Sequence, residues 1–131
     1  MVGNQNHPDF PIDWRDLYGR IPDEEIISEF ATSFVRNGEK LIHSLTQAVK
    51  EGRPEQIEMY AHAMKGSSSN IGAIQLAKAA WQIEKAAAEK HLDRIPELFE
   101  KMEPEFFMLR TLLNQVDWIQ QAKDAVLVQT Q

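Results

Sequence analysis

The sequence predicts an all-α protein: an antiparallel four-helix bundle, up-down-up-down, with a short leading N-terminal helix. Two observations carry that prediction. Apolar residues recur at three-four spacing through four long stretches, the pattern of helices with one buried face. The breaks between the stretches, at Gly52-Arg53, Gly72 and Lys90-His91, are brief, so consecutive helices must pack side by side and antiparallel. No stretch alternates as a half-buried strand does, and no internal repeat is present. At 131 residues the chain has the size of one domain with one core.

The elements follow in order. Residues 1–11 are polar and proline-containing and predict a flexible leader, which includes His7. "IDWRDLYG" (12–19) predicts the short helix, with Trp14 and Leu17 turned to the core and Gly19 at its end. "PDEEII" (22–27) starts the first long helix, with Asp23 as its cap and an acidic first turn. Ile27, Phe30, Ala31, Phe34, Gly38, Leu41, Ile42 and Leu45 form its apolar stripe. Asn37-Gly38 is a turn signal by composition. The stripe stays in phase across it, so one helix to about Gly52 is expected. Pro54, in a first-turn position, opens the second long helix, which runs to Asn70 or Ile71. The third covers Ala73 to about Lys90, with Leu76, Ala80, Ile83 and Ala87 inward. The fourth starts near Leu92–Ile95 and carries Leu98, Met102, Phe106, Leu109, Leu113 and Val116, with a bend expected at Pro104. The phenylalanine pairs Phe30–Phe34 and Phe106–Phe107 are expected to be core packing. The domain spans 12–116, and the tail 117–131 either extends the last helix or frays.

Composition narrows the function. A net charge of −6 with no basic cluster argues against nucleic acid as a partner. No apolar run approaches the roughly 18–20 residues that span a bilayer, so no membrane partner is expected. The absence of cysteine excludes disulfides and thiolate metal sites. With no export signal in "MVGNQNHPDFPIDW", a cytoplasmic setting is expected.

The chemistry concentrates in "AHAMKGSSSNIGA" (61–73), where helix-poor glycine and serines sit beside a histidine and a lysine. At about 100° per residue, Ile57, Ala61, Met64, Ser68 and Ile71 form the buried sector of this helix. His62, Lys65, Gly66 and Ser69 occupy a separate sector, roughly 80° to 180° round the wheel. A neutral imidazole there is a competent nucleophile, because its ordinary pKa is about 6.5. Phosphoryl transfer to it needs positioning and positive charge more than covalent help. Lys65, one turn on, supplies charge. Gly66 leaves the approach open, and Ser69 adds a hydroxyl one turn further. An acceptor on Nδ1–H would leave Nε2 free to attack. Glu84, beside the inward Ile83 of the next helix, is placed to be that acceptor.

This stretch resembles the signature of histidine-containing phosphotransfer (HPt) domains, whose phosphohistidine is followed by lysine at the third position and glycine at the fourth. Ile71 and Gly72 match the apolar–glycine pair nine and ten positions on, Leu76 the apolar fourteenth, and Glu84 the carboxylate or amide near the twenty-second. The resemblance covers roughly 12–116 and includes the leading helix and the bundle. It implies a phosphorelay intermediate. His62 would accept a phosphoryl group from the aspartyl phosphate of a response-regulator receiver domain and pass it to another receiver in two-component signalling. It implies no kinase or ATP site in this chain and no cofactor, since Mg²⁺ belongs to the receiver. Receiver domains are the implied partners, with a hybrid histidine kinase as a further one, and the chain is expected to be a monomer. A free-standing protein and a segment of a hybrid sensor kinase fit the resemblance equally. Pro104 and the tail after 116 fall outside the family's pattern.

Two other readings compete. One is a helical-bundle interaction module with an unphosphorylated histidine. His43 and His91 lack such neighbours and read as surface residues. The other is a bundle metalloprotein, which typically needs Glu-x-x-His on two helices. Here Glu39 and Glu58 lie four residues before His43 and His62, and no H-E-x-x-H occurs, so no metal site is expected.

Overall fold

The computed structural model describes residues 10–130, with side chains through Val128, and contains helices and no strand among them. The expected leader therefore lies mostly outside the described residues, as does His7. Helix α1 is Trp14–Arg20, α2 Glu24–Glu51, α3 Pro54–Asn70 and α4 Ile74–Ala88. A single 3-10 turn at Leu92–Arg94 leads into α5, Ile95–Leu113, and α6 is Trp118–Thr130. Helices α2 to α5 form the bundle, each packing on its neighbour in sequence and α5 closing back on α2.

Local chemistry sets the ends. Asp13 caps α1 by accepting from the Asp16 amide, and Asp23 caps α2 by accepting from the Glu25 and Ile26 amides. Helix α2 stops at Gly52, whose φ of 63° is the left-handed conformation that glycine tolerates best. Pro54 opens α3 without losing a helix bond. The core runs through Ile27, Phe34, Leu45, Ile57, Met64, Leu76, Ile83, Met102 and Phe106.

Helix α2 is continuous through Asn37-Gly38, and the glycine has a packing reason. The Phe106 ring of α5 fills the space a side chain would need there. Helix α5 likewise continues through Pro104, which is exposed, so the Glu100 carbonyl it leaves unpartnered faces water.

Three expectations are corrected. Phe30 and Phe107 are not core residues; they are 45% and 37% exposed, while Phe34 and Phe106 pack inside with ring centroids 6.0 Å apart. Val116 is fully exposed and lies outside α5, which ends at Leu113. The tail is neither an extension nor frayed: the chain turns at 114–117 and starts a separate helix. Trp118 of α6 meets Trp14 of α1 edge-on at 6.2 Å, and Lys123 pairs with Glu24. Helix α6 thus covers α1, which itself braces the end of α3.

Candidate functional site

Helix α3 presents the site and its neighbours fix its orientation. Ile57, Ala61, Met64 and Ser68 are buried at three-four spacing, which points His62, Gly66 and Ser69 outward. At its C-terminal end the Gly72 amide bonds the Ser69 carbonyl at 3.1 Å and the Ala73 amide the Ser68 carbonyl at 2.8 Å. Gly72 takes a φ of 76°, and its carbonyl accepts from the Asp13 amide at 2.8 Å. Arg20 of α1 donates from Nη2 to the carbonyls of Ser69, at 3.2 Å, and Asn70, at 3.3 Å. These bonds satisfy carbonyls that the end of a helix leaves unpaired.

His62 is 67% exposed in its side chain, Lys65 31% and Glu84 18%. The His62 Nδ1 lies 2.8 Å from Glu84 Oε2 across the α3–α4 seam. In the neutral ring, donation from Nδ1 leaves the lone pair on Nε2, and the side chain as a whole is largely exposed. The other carboxylate oxygen, Oε1, lies 2.8 Å from Lys65 Nζ. Oε1 is buried, and the Lys65 ammonium is its charge partner. One carboxylate therefore holds both the nucleophile and the cation.

The same contacts set the carboxylate's charge. Burial pushes the Glu84 carboxyl up, but Lys65 and then His62 outweigh it and hold it below its ordinary value of 4.5. Glu84 is thus ionised at neutral pH, which gives it the charge that both contacts require.

Gly66 is exposed, and a β-carbon there would meet nothing within 4 Å. Nothing inside the molecule requires glycine at this place, although it costs a helix about 1 kcal/mol relative to alanine. Ser69 is exposed one turn beyond. The structure brings Glu84 into contact with both His62 and Lys65 and leaves Gly66 and Ser69 exposed on the same helix face. His43 and His91 lie elsewhere on the surface, His91 near Glu89 at 3.5 Å. Among the described residues, no group of three His, Asp or Glu gathers as a metal site would require.

Two exposed apolar residues, Met59 and Phe30, were not legible as such in the sequence. Met59, one turn before His62, is exposed. Phe30, with Ser33 and Asn37 of α2, lines a shallow groove against Ser67 and Asn70 of α3. The signal was available in the width of the α2 stripe, where Phe30 stands at its edge.

Comparison with known proteins agrees with this fold. The Hpt domain model matches residues 29–122. Histidine-containing phosphotransfer protein 1 of rice (Oryza sativa subsp. japonica) is 25% identical over 88 residues, 66% of this chain. That match spans 60% of the rice protein's length. The crystal structure of histidine-containing phosphotransfer protein B from Pseudomonas aeruginosa superposes with a TM-score of 0.71 at 30% identity, covering 88% of this chain and 97% of that one.

Proposed function

The chain belongs to the Hpt domain family, and on that premise we propose that His62 accepts a phosphoryl group from the aspartyl phosphate of a receiver domain and passes it to a second receiver. The observation that carries this reading is the His62–Glu84 contact at 2.8 Å on an imidazole that is two-thirds exposed. It offers Nε2 to a partner in the protonation state a nucleophile needs.

In the transfer step the Nε2 lone pair forms the bond to phosphorus as the bond from phosphorus to the aspartyl oxygen breaks. The electron pair of that bond leaves with the carboxylate. The Nδ1 proton stays on the ring, so the product is a phosphorylated imidazolium, with Glu84 opposite its positive charge. Lys65 is the cation for the phosphoryl oxygens. Gly66 and Ser69 lie under the approaching partner, with Met59 and Phe30 as apolar contacts at its rim. Mg²⁺ is assigned to the receiver, whose phosphorylated aspartate it would serve, and this chain contributes no kinase step. A role in two-component signalling follows from the family, and the geometry supports acceptance at His62 without fixing which receiver is upstream.

The test is uptake of labelled phosphate from a phosphorylated receiver by the wild-type chain and by His62→Gln. Wild type should gain an acid-labile, base-stable phosphate and the variant none. Equal labelling would overturn the assignment and favour the reading in which this histidine is idle.

A further inference from the structure

Glu84 makes one contact too many for a residue that only orients a histidine. Its Oε2 serves Nδ1 of His62, while its Oε1 faces Lys65 Nζ at the same 2.8 Å. The lysine is therefore engaged with a carboxylate on the Nδ1 side of the ring. The phosphoryl group would arrive at Nε2, across the ring. A cation committed to Glu84 is not yet where the reaction needs it.

Resting on the reading of His62 as phosphoryl acceptor, we propose that Glu84 is a positioning residue for Lys65 as well as for His62. It holds the ammonium at rest and releases it to the phosphoryl oxygens as the N–P bond forms. Two observations support the exchange. Lys65 is about a third exposed, which leaves its head room to move on its flexible stem. Transfer also changes the charges: Glu84 gains a full imidazolium partner through the Nδ1–H just as a phosphoryl anion appears at Nε2. The carboxylate then has a cation without Lys65, and the phosphoryl group lacks one. At rest the ammonium screens the carboxylate; after transfer it serves the phosphate.

Phosphoramidate tests this without a receiver. Its P–N bond breaks, ammonia leaves the zwitterion with the electron pair, and Nε2 takes the phosphoryl group. Four proteins are compared: wild type, Glu84→Gln, Lys65→Ala and the double variant. The amide of Glu84→Gln can still accept from Nδ1–H but carries no charge to hold the lysine. The proposal expects the rate ratio of Glu84→Gln to its parent to be about three- to fivefold higher with Lys65 present than with Lys65→Ala, the coupling of a partly exposed ion pair. It also expects the Lys65 side-chain NMR resonances of wild type and Glu84→Gln to differ at rest and to converge on phosphorylation. A mere structural role for Glu84 would not produce that convergence. Equal rate ratios in the two backgrounds, or Lys65 resonances unmoved in a protein labelled on His62, would overturn the exchange alone. Absence of label on His62 would overturn the functional reading and the exchange with it.

Discussion

The Phe106 ring of α5 lies directly on the Gly38 backbone of α2: a β-carbon at that glycine would overlap the ring, with Cζ only 2.9 Å away. The two helices approach through a residue that has no side chain. Gly38→Ala should therefore destabilise the bundle, although alanine is the better helix former. Overpacking costs about 1–3 kcal/mol, against a propensity gain of about 1 kcal/mol. A lowered urea midpoint at unchanged slope is expected. A raised midpoint would show that the ring moves aside freely.

Ser68 makes the opposite case. Its hydroxyl is fully buried on the core side of α3 and has no hydrogen-bond partner among the described residues. An unsatisfied buried polar group costs about 1–3 kcal/mol, so Ser68→Ala should leave thermal stability unchanged or raise it. A loss of several degrees in Tm would mean that the hydroxyl has a partner, such as a buried water.

These two residues show how legible the fold was and where legibility stopped. The periodic stripe carried α2 correctly through Asn37-Gly38, because phase outweighs a two-residue turn signal. It could not say that Phe106 was the reason for the glycine, since that depends on which helix packs opposite. The same limit explains Phe30: it lies in phase with the stripe but near the end where α3 stops, and it stays 45% exposed among the described residues. The tail failed for a related reason. Asn114–Asp117 breaks the helix, but Trp118 finds Trp14 about a hundred residues earlier, a contact no local pattern reveals. At the site, helical spacing placed His62, Lys65, Gly66 and Ser69 on one face. The reach of Glu84 depended on the register of α3 against α4, and its second contact with Lys65 was not foreseen.

Acid should weaken the Glu84 contacts in a defined direction. Its folded carboxyl sits below the ordinary 4.5, because Lys65 and His62 together outweigh the opposing effect of burial. A depressed folded value gives stability that is fully present above the unfolded value and is lost as pH falls through the folded one. The difference in Tm between wild type and Glu84→Gln should be fully present above about pH 4.5 and should close as pH falls below it. A gap that widened below about pH 4.5 would contradict the sign of the shift.

Gly66 separates folding from docking. Since a β-carbon there meets nothing within 4 Å among the described residues, Gly66→Gln should fold normally and gain up to about 1 kcal/mol from helix propensity. Its transfer from a phosphorylated receiver should show a half-saturation raised on the order of tenfold, a loss of about 1.4 kcal/mol in docking, with the plateau rate nearly unchanged. A lowered plateau at unchanged half-saturation would place the glycine in the chemical step instead.

If Glu84 holds the Nδ1 proton, Nε2 of His62 is the phosphoryl acceptor. NMR of the ¹⁵N-histidine-labelled chain after phosphoryl uptake reads which ring nitrogen couples to phosphorus. One phosphorylated histidine is expected, His62, with coupling at Nε2 and a proton retained on Nδ1. Phosphorus on Nδ1, or on His43 or His91, would contradict it.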